Sequence, residues 1–251
     1  MKKTFIGSLL GALVLNCFPC HSGSAADVVD GWSFLVSGQG PKSQTFLAGG
    51  IPLTLNSPQG VGLADASTSP PNPFPGTERA LYTEPGADNG QLRIRTRPFL
   101  AENPPDGSFE MTFRIVDGQF YLGVGVAANP WPAKDERSTE EGERIMAVRF
   151  YAGKPIGLQR TVLLTEDGSV LATDENYTFR LEWKTVGETT EFRFFLNEKP
   201  LNNPTGSQAL FPVPRSKMSA GDPVFLIASG SSDSPCATMF IGSIRATAGG
   251  L

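Results

Sequence analysis

Short runs of alternating apolar and polar residues recur along the chain with turn-forming residues between them, and no stretch sustains the i, i+3, i+4 spacing of an amphipathic helix. The pattern predicts an all-β protein. Its clearest segment is GSFEMTFRIVDGQFYLGVGVA, residues 107 to 127, where Asp117-Gly118 separates two alternating runs and signals a two-residue hairpin. Pairing outward from that turn matches Ile115 with Phe120, Phe113 with Leu122, Met111 with Val124 and Phe109 with Val126 on an apolar face. The polar face then pairs Arg114 with Tyr121, Thr112 with Gly123 and Glu110 with Gly125. A second Asp-Gly turn, Asp167-Gly168, predicts a hairpin with Leu164 opposite Leu171. A turn around Gly187, without the Asp-Gly pair, joins NYTFRLEWK to TEFRFFLNEKPL. Further strands are predicted over 31–37, 80–83, 90–97, 144–152, 223–229 and 238–248.

That many short strands without a helix point to a two-sheet antiparallel β-sandwich or jelly roll closed as one domain. The proline-rich segment 67–78 reads as a long loop rather than a linker, as do 128–143 and 200–221. Such loops are common places for function in this architecture.

The N-terminus changes where this domain is expected to work. Lys2 and Lys3 precede an uncharged apolar run from Phe5 to Leu15, and Ser24-Ala25-Ala26 follows, so residues 1–26 read as a secretory signal peptide with 27–251 as the mature domain. At 11 residues the apolar run is short of the ~20 needed to span a membrane. The destination is therefore secreted, periplasmic or cell-surface, in a bacterial cell. Cys17, Cys20 and His21 spell the C-x-x-C-H pattern of c-type haem attachment, but cleavage after Ala26 removes all three, so haem is not expected. Asn16 before Cys17 and Pro19 before Cys20 also disfavour a lipoprotein.

Processing leaves 19 basic against 25 acidic residues, a net charge near −6, which disfavours a nucleic-acid partner. It leaves no histidine, excluding histidine general bases, Ser-His-Asp triads and His-ligated zinc. Cys236 remains as the sole cysteine, unable to form an intrachain disulfide, and reads as a small buried hydrophobe.

The segment YTFRLEWKTVGETTEFRFFLNEKPL, residues 177–201, resembles a hairpin of concanavalin A-like (laminin-G/glucanase type) jelly rolls, and the final TMFIGSIRATA is similar to their closing strand. The resemblance implies the sandwich fold and the chemistries that fold hosts. Retaining glycoside hydrolases need two carboxylates about 5 Å apart. Here Glu110, Glu182 and Glu191 stand alone on their strands, and the clustered acids fall in turns. Polysaccharide lyases of the same general fold use a tyrosine with an arginine or histidine. Arg114 and Tyr121 supply two of those types, without the histidine.

The residues fit binding better than catalysis. Glu110, Arg114 and Tyr121 lie beside Gly123 and Gly125, and a neighbouring 144–152 strand would add Arg149 and Tyr151 while turning Met146, Val148 and Phe150 inward. Rings, guanidinium groups and a carboxylate over a small-residue floor suit a sugar. Arg93, Arg95 and Arg97 share one strand face and could meet an acidic polysaccharide, and Trp131 between prolines offers a stacking ring. Trp32 and Trp183 are expected in the core. No D-x-D-x-D-G loop marks calcium, leaving Asp222 and Asp233 as unsupported ligands for a structural ion. The expectation is an exported, non-catalytic module binding a poly- or oligosaccharide. The competing readings are a lyase acting on an acidic glycan and an adhesive or structural protein without a glycan ligand.

Overall fold

The computed structural model describes residues 44–48, 51–56, 61–76, 80–83, 92–96, 106–126, 144–218, 223–229 and 237–248. Its strands are β1 (Gln44–Ala48), β2 (Ile51–Asn56), β3 (Val61–Ala64), β4 (Ala80–Thr83), β5 (Leu92–Thr96), β6 (Asp106–Asp117), β7 (Gln119–Val126) and β8 (Arg144–Tyr151). They continue with β9 (Ile156–Leu158), β10 (Thr161–Leu163), β11 (Tyr177–Val186), β12 (Thr189–Leu196), β13 (Lys199–Pro200) and β14 (Leu210–Pro214). A four-residue helix, α1 (Arg215–Met218), precedes β15 (Pro223–Ser229) and β16 (Thr238–Ala248). Among the described residues no helix is long and apolar enough to cross a membrane.

The strands form two antiparallel sheets. One runs β1-β2-β5-β15-β7-β8-β9-β10, and the other runs β13-β12-β11-β6-β16-β4-β3, with β14 also on β12. Alternation decides which side of each is buried. On β6, Phe109, Met111, Phe113 and Ile115 are fully buried, while Glu110, Thr112 and Arg114 between them are half-buried. The inward rows meet in one aromatic core: Phe109 stacks on Phe225 at 4.2 Å, and Phe150 packs edge-on against Phe113 at 4.9 Å and Phe179 at 5.0 Å. Each pair joins one sheet to the other, so the fold is the expected β-sandwich. Trp183 is buried in this core, as its strand pattern predicts.

The 107–127 hairpin does not form. β6 pairs with β11 and β16 in one sheet, whereas β7 pairs with β8 and β15 in the other. Asp117-Gly118 is therefore an arch between layers. The apolar residues expected side by side on one sheet instead face each other across the core, with Phe113 and Phe120 rings 5.3 Å apart. Alternation fixes the buried side of a strand and is silent about which neighbour fills its edge, so both arrangements satisfy it. The arch needs glycine: Gly118 has φ +81°, and a Cβ there would sit 3.0 Å from Ala237 Cα. Ser229 ties it down, its hydroxyl donating to the Gln119 carbonyl at 2.8 Å and accepting from the Ala237 N–H at 2.7 Å.

The Asp167-Gly168 turn forms, but not as a hairpin. Its return segment leaves the sheet, and buried Leu171 bonds instead through its backbone to Gly153 and Lys154. The Gly187 hairpin forms as expected, and its register sets Val186 opposite Thr189 and Trp183 opposite Phe192. The 200–221 loop contains β14 and α1, and 44–64 contributes three strands that short, proline-interrupted runs do not announce. The predicted 31–37 strand, Trp32 and the N-terminal segment lie outside the described residues.

Candidate functional site

The outward positions of β7 and β8 build a continuous surface on one sheet. Phe120, Leu122 and Val124 point into the core, so Tyr121, Gly123 and Gly125 face out. On β8, Met146, Val148 and Phe150 point in, leaving Ala147, Arg149 and Tyr151 outward, as expected. Register places Tyr121 opposite Arg149, Gly123 opposite Ala147 and Gln119 opposite Tyr151. Arg149 is in turn opposite Gly157 of β9, where a Cβ would lie 3.4 Å from Tyr151 Cε2 and 3.5 Å from Arg149 Cβ. The missing side chain lets tyrosine and arginine lean together. Lys154 adds a cation 5.8 Å from the centre of the Tyr151 ring.

The same row continues to the other side. Tyr121 is opposite Ala228, which is opposite Arg93, which is opposite Asn56. One row below, Gly123, Leu226, Arg95 and Thr54 follow in order. Register thus brings the positions of Arg93, Arg95, Tyr121 and Arg149 into two adjacent rows of one sheet. Arg97 and Trp131 lie outside the described residues, as do Cys17, Cys20, His21, Asp222, Asp233 and Cys236.

At the β8 end this surface runs into a cavity of about 580 Å³ between β8 and the β14–α1 segment. Ile145, Ala147 and Arg149 form one wall and Phe211 to Pro214 the other, while the β9–β10 turn closes one side. That turn holds Gln159 at φ +49° and bonds its N–H to the Ala147 carbonyl at 3.3 Å. Gln159, Arg160 and Lys217 also line the cavity, and no pattern in the sequence marks them. They come from segments joined only by the tertiary fold.

Glu110 and Arg114 belong elsewhere. Because β6 lies in the opposite sheet, both face outward on the far side of the sandwich from Tyr121, and the expected Arg114–Tyr121 pair does not exist. Arg114 Nε donates to Asn176 Oδ1 at 2.8 Å, and Asn176 Nδ2 donates to the Pro73 carbonyl at 2.7 Å. This chain of bonds fastens the proline-rich segment to the sheet. Phe74 lies over Gly242, within the small apolar cluster of Ala64, Ala80 and Phe240. Glu110 stands opposite Arg180 and Arg245 in register. Arg180 itself contacts Glu182, reaches Glu198 at 3.3 Å and covers the Phe195 ring at 4.5 Å. That face is a lattice of internal charge pairs.

A second cleft, about 800 Å³, lies between the 165–177 segment and the β12–β13 turn. Its titratable groups serve local structure. Tyr177 Oη accepts from the Ala172 N–H at 2.7 Å and donates to Glu175 at 3.1 Å, and burial pushes the phenol above its ordinary value. Asp167 accepts from the Thr165 hydroxyl at 2.8 Å and the Ser169 N–H at 3.0 Å, which draws its carboxyl down to about 2. Among the described residues, no group of three or more His, Cys, Asp or Glu side chains could hold a metal ion.

No family model and no curated protein sequence matches the chain. Solved structures that are similar include a point mutant of the Emp46p carbohydrate recognition domain, 10% identical with a TM-score of 0.45 over 76% of this chain and 89% of that one. A legume lectin-like domain from Entamoeba histolytica is 8% identical, with a TM-score of 0.41 over 76% and 91% of the two chains. The Bauhinia forficata lectin, in complex with GalNAc, is 13% identical with a TM-score of 0.38 over 76% and 93%.

Proposed function

We propose that the chain is an exported, non-catalytic module that binds a poly- or oligosaccharide on the outer face of the β7–β8 sheet. The observation that supports this most is the row in which Tyr121 stands opposite Arg149, with Tyr151 adjoining and Gly123, Gly157 and Ala147 as the floor. A phenol ring offers a surface to the C–H face of a pyranose, a guanidinium offers paired donors to its hydroxyls, and glycine lets the sugar approach the backbone. Arg93 and Arg95 extend the row by register, while Arg97 and Trp131, outside the described residues, stay candidates from the sequence alone. Export rests on the signal peptide ending at Ala26.

A glycan array probed with the 27–251 protein tests this. Binding to at least one glycan class is expected, with Tyr121→Ala and Arg149→Ala each weakening it tenfold or more. Silence on the array, or full binding by both variants, would overturn it. The lyase reading keeps one foothold, since Arg149 replaces Arg114 as the arginine beside Tyr121. Incubation with uronate polymers should give no ultraviolet absorbance from unsaturated ends; its appearance, abolished by Tyr121→Phe, would make the protein an enzyme.

A further inference from the structure

The cavity beside Arg149 gathers charge of one sign. Arg149 comes from β8, Arg160 from the β9–β10 turn and Lys217 from α1, and all three line it. All three are exposed, and none is in an ion pair among the described residues. Among the described residues no carboxylate lines the cavity. This occurs in a chain with 25 acidic against 21 basic residues, where elsewhere arginines such as Arg180 and Arg193 are matched with glutamates. Three unneutralised cations around one concavity repel each other, and a cleft of one sign focuses its field on an incoming counter-charge.

The rest of the lining limits what that counter-charge is attached to. Ile145, Phe211, Pro212 and Pro214 add apolar patches to a lining that is polar for the most part, and Gln159 adds a neutral amide. A volume of about 580 Å³ lies inside the ~300–1,000 Å³ range of small-ligand pockets, far more than a bare inorganic anion fills. A mainly polar, cationic lining with apolar patches matches a sugar ring bearing an anionic substituent, and guanidinium groups pair with sulfate or carboxylate oxygens through parallel N–H donors.

We infer that this cleft, built by Arg149, Gln159, Arg160 and Lys217, is a subsite for an anionic residue of the glycan, a uronate or a sulfated sugar. The inference rests on the carbohydrate-binding reading of the adjoining face, because Arg149 belongs to both and a chain crossing the Tyr121 row would enter the cleft at that residue. It assigns to the module a preference for acidic polysaccharides, set by Arg160 and Lys217.

Calorimetric titration with three oligosaccharides of equal length tests it: neutral cellotetraose, sulfated cellotetraose and tetragalacturonate. At low salt, at least one anionic ligand is expected to bind tenfold or more tighter than the neutral one, and the advantage should shrink as salt is added. Whichever anionic ligand binds better identifies sulfate or carboxylate as the natural group. Arg160→Gln and Lys217→Gln should each lower the anionic-to-neutral affinity ratio at least threefold, with Arg160→Lys recovering part of it. Equal affinity for charged and neutral ligands, or a ratio unchanged in both glutamine variants, would overturn the subsite while leaving the module reading intact. Binding of none of the three, together with silence on the wider array, would overturn both.

Discussion

Placing Tyr121 beside Arg149 rather than Arg114 makes a sharp claim about distance, and paired cysteines test it. In a Cys236→Ala background, one variant carries Tyr121→Cys with Arg149→Cys and the other Tyr121→Cys with Arg114→Cys. The first pair are register partners on adjacent antiparallel strands, where opposite Cβ atoms lie about 4.5–5.5 Å apart, close to what a disulfide requires. The second pair sit on the outer faces of layers about 10 Å apart and point away from each other, beyond the ~7 Å Cα limit for a bridge. Oxidation followed by digestion and mass analysis should find the 121–149 cross-link and no 114–121 cross-link. The bridge closes a loop of about 30 residues, for which the chain-entropy relation gives roughly 3–4 kcal/mol. At ~2–4 °C per kcal/mol for a domain of this size, the melting temperature should rise by about 10 °C under oxidising conditions and return under reducing ones. A 114–121 cross-link in the folded protein would refute the two-layer assignment and restore the hairpin. Its formation would also move the proposed glycan row to the other sheet.

Two further predictions probe the surroundings. At Gly242 a Cβ would lie 2.5 Å and 2.7 Å from Phe74 ring atoms and 2.8 Å from Thr112 Oγ1, so Gly242→Ala should lower the unfolding free energy by about 1–3 kcal/mol in urea. That cost should shrink in a Phe74→Ala background, and equal costs in both backgrounds would show that the ring does not occupy this place. Tyr177→Phe should cost about 1 kcal/mol through the lost bonds to Ala172 and Glu175. Because burial raises the folded phenol, its contribution is complete below the unfolded value near pH 10 and is lost as pH climbs through the higher folded one. Urea midpoints measured from pH 8 to 11 should therefore fall less steeply in Tyr177→Phe, and identical alkaline limbs would contradict the assignment.

The sandwich is legible in the sequence wherever alternation and turn chemistry specify the same neighbour. The Gly187 turn joins strands whose apolar positions, Trp183 and Phe192 among them, coincide in the observed register. Alternation shows which residues of the 144–152 run share a face, and the pairing of β7 with β8 then sets Tyr121 opposite Arg149 and Gln119 opposite Tyr151. Asp117-Gly118 misleads because a turn sequence specifies a reversal of direction and says nothing about the layer to which the chain returns. Here β6, twelve residues long, has both edges taken, by β11 along 106–113 and by β16 along 107–117, which leaves no edge for β7. Arg114 follows β6 to the wrong side for the site. The cationic cleft is invisible to any local pattern, since Arg160 and Lys217 meet only after β14 docks on β12 and carries α1 toward β7.

The arch between β6 and β7 also bears on how the chain finds this structure. Most pairings in the fold join distant segments: the Thr112 and Ser243 hydroxyls that meet across β6 and β16 are 131 residues apart. Phe113 and Phe120, by contrast, lie in different layers yet only seven residues apart. Loop closure costs ~(3/2)RT ln n, so bringing these two rings together is cheaper than docking β16 on β6 by about 2.6 kcal/mol. Contact between the layers is thus local in sequence, whereas completing the sheet that holds β6 is not. The two rings can meet as soon as a stretch of some twenty residues collapses, giving an aromatic seed on which the later strands of both layers assemble.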